Sequence, residues 1–222
     1  MKMKGFLDTS NYEICRVLED NYLNILDEYH KFNFQDDVNI LQRIFYDENY
    51  KFWKYGYEAS LEMAKMKDDG VDYDTANFGV YKKSHSWYGM HVNDLSIWEF
   101  VLLGAKVSKN RFGPLEKMKP TPICKKFFNN TFNLLNRYSE VISVIVAKFP
   151  PGRTIPLHRG DRKIRRFHLG LVVPEGDIAF QVRGEKKKWE EGKCLGFNDF
   201  YEHTAWNNTD EDRINLIVDV KR

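Results

Sequence analysis

Three of the six histidines, His158, His168 and His203, fall in the second half of the chain. His158 closes the run Pro156-Leu157-His158, and His203 ends the aromatic run Phe200-Tyr201-Glu202-His203. At the mouth of a small β-barrel, strand ends bring residues distant in sequence around one cavity. Two imidazoles meeting there make half of a mononuclear metal site, and imidazole suits iron, zinc, copper and nickel alike. A single strand histidine is more often a hydrogen-bonded core or surface residue, so its company matters. Ten positions after His203, Arg213 opens the otherwise apolar run Arg213-Ile214-Asn215-Leu216-Ile217-Val218. Burying a guanidinium unpaired is costly. Arg213 therefore either faces an anion, for which its planar fork suits a carboxylate, or caps the acidic loop Asp210-Glu211-Asp212.

The elements that must position these groups are short strands. From Val141 onward, β-branched and aromatic runs alternate with turn residues: Val141–Phe149, Arg153–Leu157, Ile164–Val173, Ile178–Val182, Lys186–Trp189, Lys193–Phe197, Tyr201–Trp206 and Arg213–Val220. Pro150-Pro151-Gly152, Gly160-Asp161, Pro174–Asp177, Gly184-Glu185, Glu190–Gly192, Asn198-Asp199 and Asn207–Asp212 punctuate them. Strands at this spacing without intervening helices predict a jelly roll or related closed double sheet. The first half reads as helical. Ser10 and Glu13 form a capping-box pattern ahead of Ile14, Val17, Leu18, Ile25, Leu26 and Tyr29. A second helix is expected from Asp36, and a third from Thr121-Pro122 carrying Phe127, Phe128, Phe132, Leu134 and Leu135. Residues 66–110 read as strands and loops. The expected class is thus mainly β with N-terminal helices (α+β). Residues 1–139 form an extension packed on a core of residues 140–222.

Composition excludes several functions. Hydrophobic residues make up 42% of the 222, enough for a packed core and too many for a disordered chain. Lys plus Arg number 34 against 32 Asp plus Glu, a balance that gives no case for nucleic acid or a membrane surface. The basic runs Arg162–Arg166 and Lys186–Lys188 read as a solvated loop and a charged hairpin. Cys15, Cys124 and Cys194 are scattered, forming neither a disulfide framework nor a metal knuckle. No apolar run is long enough to span a bilayer, and residues 1–8 lack the core of a secretory signal. The expected location is the cytoplasm, with no membrane anchor.

Several pieces together resemble one family. They are His158-Arg159-Gly160, Arg166-Phe167-His168-Leu169-Gly170-Leu171, Trp189-Glu190-Glu191-Gly192-Lys193, Phe197-Asn198-Asp199, Glu202-His203, and Arg213 leading into Ile217-Val218-Asp219-Val220. In this order and spacing they resemble the aspartyl/asparaginyl β-hydroxylases, over roughly the last third of the chain. The resemblance implies a double-stranded β-helix (jelly-roll, cupin-like) core. It also implies coupling of 2-oxoglutarate decarboxylation and O2 to hydroxylation of an unactivated carbon at iron(II). It assigns His158 and His203 to the metal, and Arg166, His168 and Arg213 to the cosubstrate, with Arg213 on its far carboxylate. One departure concerns the third ligand. Related iron oxygenases place an acid two residues after the first histidine, where this chain has Gly160. Animal members of the family share that glycine and are thought to use water there. Asp161, in a segment one residue shorter than usual, is the alternative ligand.

The expected substrate is an aspartyl- or asparaginyl-like or other small carboxylate-bearing molecule, whether free, in a peptide or carrier-bound. Two rivals stand beside this reading. A cupin-type metalloenzyme without 2-oxoglutarate would use the same histidines but gives Arg213 no task. A non-catalytic barrel binding module would explain the missing acid at Gly160. Core packing is the expected role of Phe167 and Trp206.

Overall fold

The structure is a computed structural model, and it describes residues 4–32, 99–105, 118–120, 122–160 and 164–222. The helix expected from Asp36, most of the 66–110 stretch, and Asp161 lie outside the described residues. Ten strands are present among the described residues: β1 (Glu99–Ala105), β2 (Lys119–Pro120), β3 (Val141–Phe149), β4 (Arg153–His158), β5 (Ile164–Val172), β6 (Ile178–Val182), β7 (Glu185–Lys187), β8 (Cys194–Asn198), β9 (His203–Asn207) and β10 (Arg213–Lys221). They build a major sheet in the order β2-β1-β3-β10-β5-β8 and a minor sheet in the order β4-β9-β6-β7. Every strand-to-strand pairing among the described residues is antiparallel. From β3 onward the chain passes back and forth between two facing sheets, apart from the β6–β7 hairpin within the minor sheet, which is the double-stranded β-helix expected.

Side-chain alternation along each strand decides what faces the space between the sheets. On β10, Ile214, Leu216, Val218 and Val220 join a core on the outer side, with Phe167, Leu169 and Leu171 of β5 and Val144 and Val146 of β3. Arg213, Asn215, Ile217 and Asp219 have the opposite parity and face inward, and Asp219 and Arg213 are each at most 5% exposed. The same parity on β5 turns Arg166 and His168 inward. A second core fills the interior with Phe149, Ile155, Ile178, Phe180, Val182, Trp189, Leu195, Phe197 and Ala205. A strand buried on both faces reads as a continuous apolar run, which is why β10 looks uniform in the sequence.

Helices cover the outer face of the major sheet. Helix α1 (Glu13–Asp20) and α2 (Tyr22–His30) bury Ile14, Cys15, Leu18 and Ile25, and α3 (Pro122–Phe127) and α4 (Asn129–Leu135) add Cys124, Phe132 and Leu135. Three expectations shift here. The stripe expected to run through one helix is broken at Asn21, and the third expected helix is broken at Phe128. The Ser10–Glu13 capping box does not form. Instead the Asp8 carboxylate accepts from Ser10 N at 3.2 Å and Ser10 Oγ at 2.7 Å, closing a 3-10 turn over Thr9–Asn11. The break between α3 and α4 is satisfied from elsewhere. Buried Glu28 on α2 accepts from Asn130 N and Thr131 N at 2.9 Å each and from Thr131 Oγ1 at 2.6 Å. One side chain thus meets the open amides at the start of α4.

The N-terminal segment protects the β8 edge. Leu7 N donates to Gly196 O at 2.8 Å, and Glu19 accepts from Cys194 N at 2.9 Å and from Lys193 Nζ at 3.2 Å. An exposed edge would otherwise offer unpaired amides to other chains.

Candidate active site

His158 and His203 are direct cross-strand partners where β4 meets β9. Their ring centroids stand 4.1 Å apart. His203 is 3% exposed, and its Nδ1 lies 2.7 Å from Tyr201 O. A carbonyl only accepts, so Nδ1 carries the hydrogen and Nε2 keeps its lone pair. Burial, with the nearby His158 and Arg166, pushes His203 down to about 3 against the opposing pull of the Tyr201 carbonyl. The ring is therefore neutral at ordinary pH, the form that binds metal.

Opposite Nε2, at 4.0 Å, is Asp199 Oδ1. This carboxylate occupies the place that a side chain at position 160 would fill. A Cβ built on Gly160 would fall 1.7 Å from Asp199 Oδ2, and Gly160 N donates to Asp199 O at 2.8 Å. An acid from the β8–β9 turn thus stands beside the histidines, against Gly160 rather than borne by it. Arg166 holds it, with Nη1 at 2.8 Å from Asp199 Oδ1. The rest of that guanidinium forks onto Asp219, its cross-strand partner, through Nε at 2.6 Å and Nη2 at 3.0 Å. Ser143 Oγ donates to the same carboxylate at 2.7 Å. Among the described residues no group of three or more His, Cys, Asp or Glu side chains is close enough to hold a metal ion. The protein offers a pair of imidazoles with a carboxylate just beyond.

Two of the three sequence-identified cosubstrate groups, His168 and Arg213, are fully buried, whereas Arg166 is partly exposed. His168 and His203 both pack on Phe180 and Phe197, with centroid distances of 5.0–5.6 Å. Arg213 is 1% exposed, its guanidinium 4.4 Å from the Trp189 ring centroid and 5.1 Å from that of Phe149. Arg213 points into the barrel, and Lys148 stands 3.5 Å from Asp212 of the acidic loop. Burial pushes Arg213 down to about 9, leaving it charged at neutral pH. Fully buried Asn215 turns its amide oxygen to Trp189 Nε1 at 3.0 Å and Arg213 Nη1 at 2.5 Å. His168 is held well below its ordinary range by burial and by Arg213, Arg166 and His203. Its buried Nε2 has no hydrogen-bond partner in the protein. A cationic fork and an unsatisfied polar nitrogen stand together in this apolar interior, and both are groups that a small carboxylate would engage.

The structure thus turns His158, His203, Arg166, His168 and Arg213 toward the space between the sheets, with Arg166 engaged by Asp199 and Asp219, while Asp161 lies outside the described residues. Phe167 faces the helices, and Trp206 turns outward to donate to Asp177 at 2.9 Å. Sequence reading missed Asp199, taken for a turn residue, and Asp219, Asn215 and Trp189. The signal for Asp219 and Asn215 was present, since both share the parity of Arg213 in an apolar strand.

The chain is similar to several known proteins. An ornithine lipid ester-linked acyl 2-hydroxylase from Rhizobium tropici is 41% identical over 93 residues, covering 40% of this chain and 33% of that protein. The aspartyl/asparaginyl β-hydroxylase of Mus musculus is 35% identical over 96 residues, 40% of this chain and 13% of that protein. The chain therefore spans a third or less of the length of these curated relatives. Among solved structures, the DMSP lyase DddQ from Ruegeria pomeroyi DSS-3 superposes with a TM-score of 0.36 at 12% identity, over 68% of this chain and 54% of that one. The aspartyl/asparaginyl β-hydroxylase family model matches residues 19–222, and the chain belongs to that family of hydroxylases.

Proposed function

We propose that the chain is an iron(II)- and 2-oxoglutarate-dependent hydroxylase. The observation that carries this reading is that the His158–His203 pair, buried Arg213 and the unsatisfied His168 Nε2 all lie between the two sheets. Bound iron(II) would supply the activation of O2 that lets a C–H bond be oxidised, with 2-oxoglutarate leaving as succinate and carbon dioxide. His158 and His203 would hold the metal through neutral nitrogens. Asp199 is beyond bonding distance of His203 but accepts a hydrogen bond readily, so it suits a water bound beside the histidines. Arg213 would pair with the far carboxylate of the cosubstrate, and its cradle of Trp189 and Phe149 keeps water away from that ion pair. Phe180 and Phe197, themselves in edge-to-face contact, pack against both His168 and His203 and link the two parts of the site. The substrate we assign is a small carboxylate- or carbonyl-bearing molecule, free, peptide-borne or carrier-bound. The names of the relatives, one acting on an acyl chain and one on aspartyl and asparaginyl groups, share that chemistry.

Anaerobic titration of the purified protein with iron(II) and then 2-oxoglutarate tests the reading through the visible charge-transfer band of the chelate. The expected band vanishes in His203→Ala and requires far more 2-oxoglutarate in Arg213→Ala. Bound iron without a band would move the protein to the cupin-type enzymes. Failure to bind iron would make the barrel a non-catalytic module.

A further inference from the structure

Trp189 lies in the loop between β7 and β8 and touches both groups assigned to the carboxylate. It is 3% exposed. Its ring carries Arg213 at 4.4 Å, and it lies nearly parallel to the His168 ring, at 8° with centroids 6.3 Å apart. Its indole N–H points at His168 Nδ1, 3.3 Å away. An indole nitrogen donates and never accepts. His168 Nδ1 must then be the acceptor, so the single proton of the neutral ring sits on Nε2. Asn215 shares the same indole N–H at 3.0 Å, and sharing leaves the outcome unchanged. A hydrogen on Nδ1 would still meet the indole hydrogen head on.

The loop cannot drift away from this position easily. Gly170, two residues past His168 on β5, accepts from Gly192 N at 2.9 Å and donates to Lys193 O at 3.2 Å. A Cβ at Gly170 would fall 2.4 Å from Glu190 O, so the bare backbone there is what lets the Trp189 loop lie against the strand.

We propose that Trp189 is a positioning residue: it selects the Nε2–H tautomer of His168 and so presents an N–H beside Arg213 as a second donor to a carboxylate. The identity of that anion rests on the 2-oxoglutarate reading; the tautomer does not. Without Trp189 the unpartnered Nε2 could equally be a bare acceptor, which would repel a carboxylate rather than bind it.

Histidine labelled with nitrogen-15 in the full chain without metal tests this directly. Long-range proton–nitrogen correlation spectra show which ring nitrogen bears the hydrogen, with His168 assigned by its loss in His168→Gln. The expected wild-type pattern is a protonated Nε2 and a bare Nδ1. Trp189→Phe keeps an aromatic face for Arg213 but removes the N–H. It should convert His168 to a tautomer mixture and weaken 2-oxoglutarate binding by about tenfold, with iron(II) affinity unchanged. A wild-type spectrum with the hydrogen on Nδ1 overturns the proposal without needing any variant to fold. So does a Trp189→Phe protein with wild-type tautomer and wild-type affinity. The expected tautomers together with no binding of 2-oxoglutarate to the wild type would uphold Trp189's role and sink the cosubstrate reading instead.

Discussion

Substituting Gly160 by alanine should injure the protein through Asp199. The added Cβ would start 1.7 Å from Asp199 Oδ2 and 2.5 Å from its Cγ. The carboxylate must therefore retreat by more than an ångström, which takes it out of reach of Arg166 Nη1, now 2.8 Å away. Its side chain is only 6% exposed, so water cannot replace the lost partner fully. A charge-assisted hydrogen bond is worth about 1.5–3 kcal/mol, and a buried carboxylate left short of donors adds to that. The expected cost is about 2–4 kcal/mol, a fall in Tm of roughly 5–10 °C at this chain length. The decisive measurement is a double-mutant cycle by urea denaturation with Asp199→Ala. Removing the carboxylate removes the clash, so Gly160→Ala should cost under about 1 kcal/mol in that background, a coupling of roughly 2 kcal/mol. Equal costs in the two backgrounds would refute the claim that Asp199 fills the place of a residue-160 side chain.

Three further outcomes are expected. His168 has its folded pKa depressed by burial, so below about pH 6.5 the unfolded chain takes up a proton that the folded one refuses. Stability should fall with falling pH more steeply in wild type than in His168→Gln, by an extra slope that rises from about 0.7 kcal/mol per pH unit at pH 6.5 toward about 1.4 at pH 5, read from urea midpoints. Matching slopes would mean that His168 is not held neutral. Arg213→Lys keeps the charge but loses the fork and its stacking on Trp189. Calorimetry should show 2-oxoglutarate binding weakened by at least about tenfold with iron(II) binding intact, and an unchanged affinity would remove Arg213 from the carboxylate site. Glu28→Ala leaves the amides of Asn130 and Thr131 without their acceptor. It should cost about 2–3 kcal/mol in thermal denaturation while leaving metal affinity unaltered, because the helices lie on the outer face of the major sheet.

Much of this was legible in the sequence, because alternation and turn chemistry are local. The eight runs from Val141 onward lie close to strands β3 to β10, since β-branched pairs and Gly, Pro, Asn and Asp punctuation act over a few residues. The exceptions are local too. Trp189, read as the end of a strand, sits past β7 in a loop, and Asp8 rather than Ser10 caps the first turn. The histidines and Arg213 could be singled out by residue type and neighbourhood. Their meeting could not, because the pairing of β4 with β9 and of β10 with β5 joins residues dozens of positions apart. Asp199 shows the limit most clearly. In sequence it is a turn aspartate, and only the approach of its loop to a glycine with no side chain makes it the acid beside the histidines. Strand parity determined which residues face inward; register and the loops laid across the strands decided which of them touch, because those contacts depend on packing energies that no short window of sequence contains.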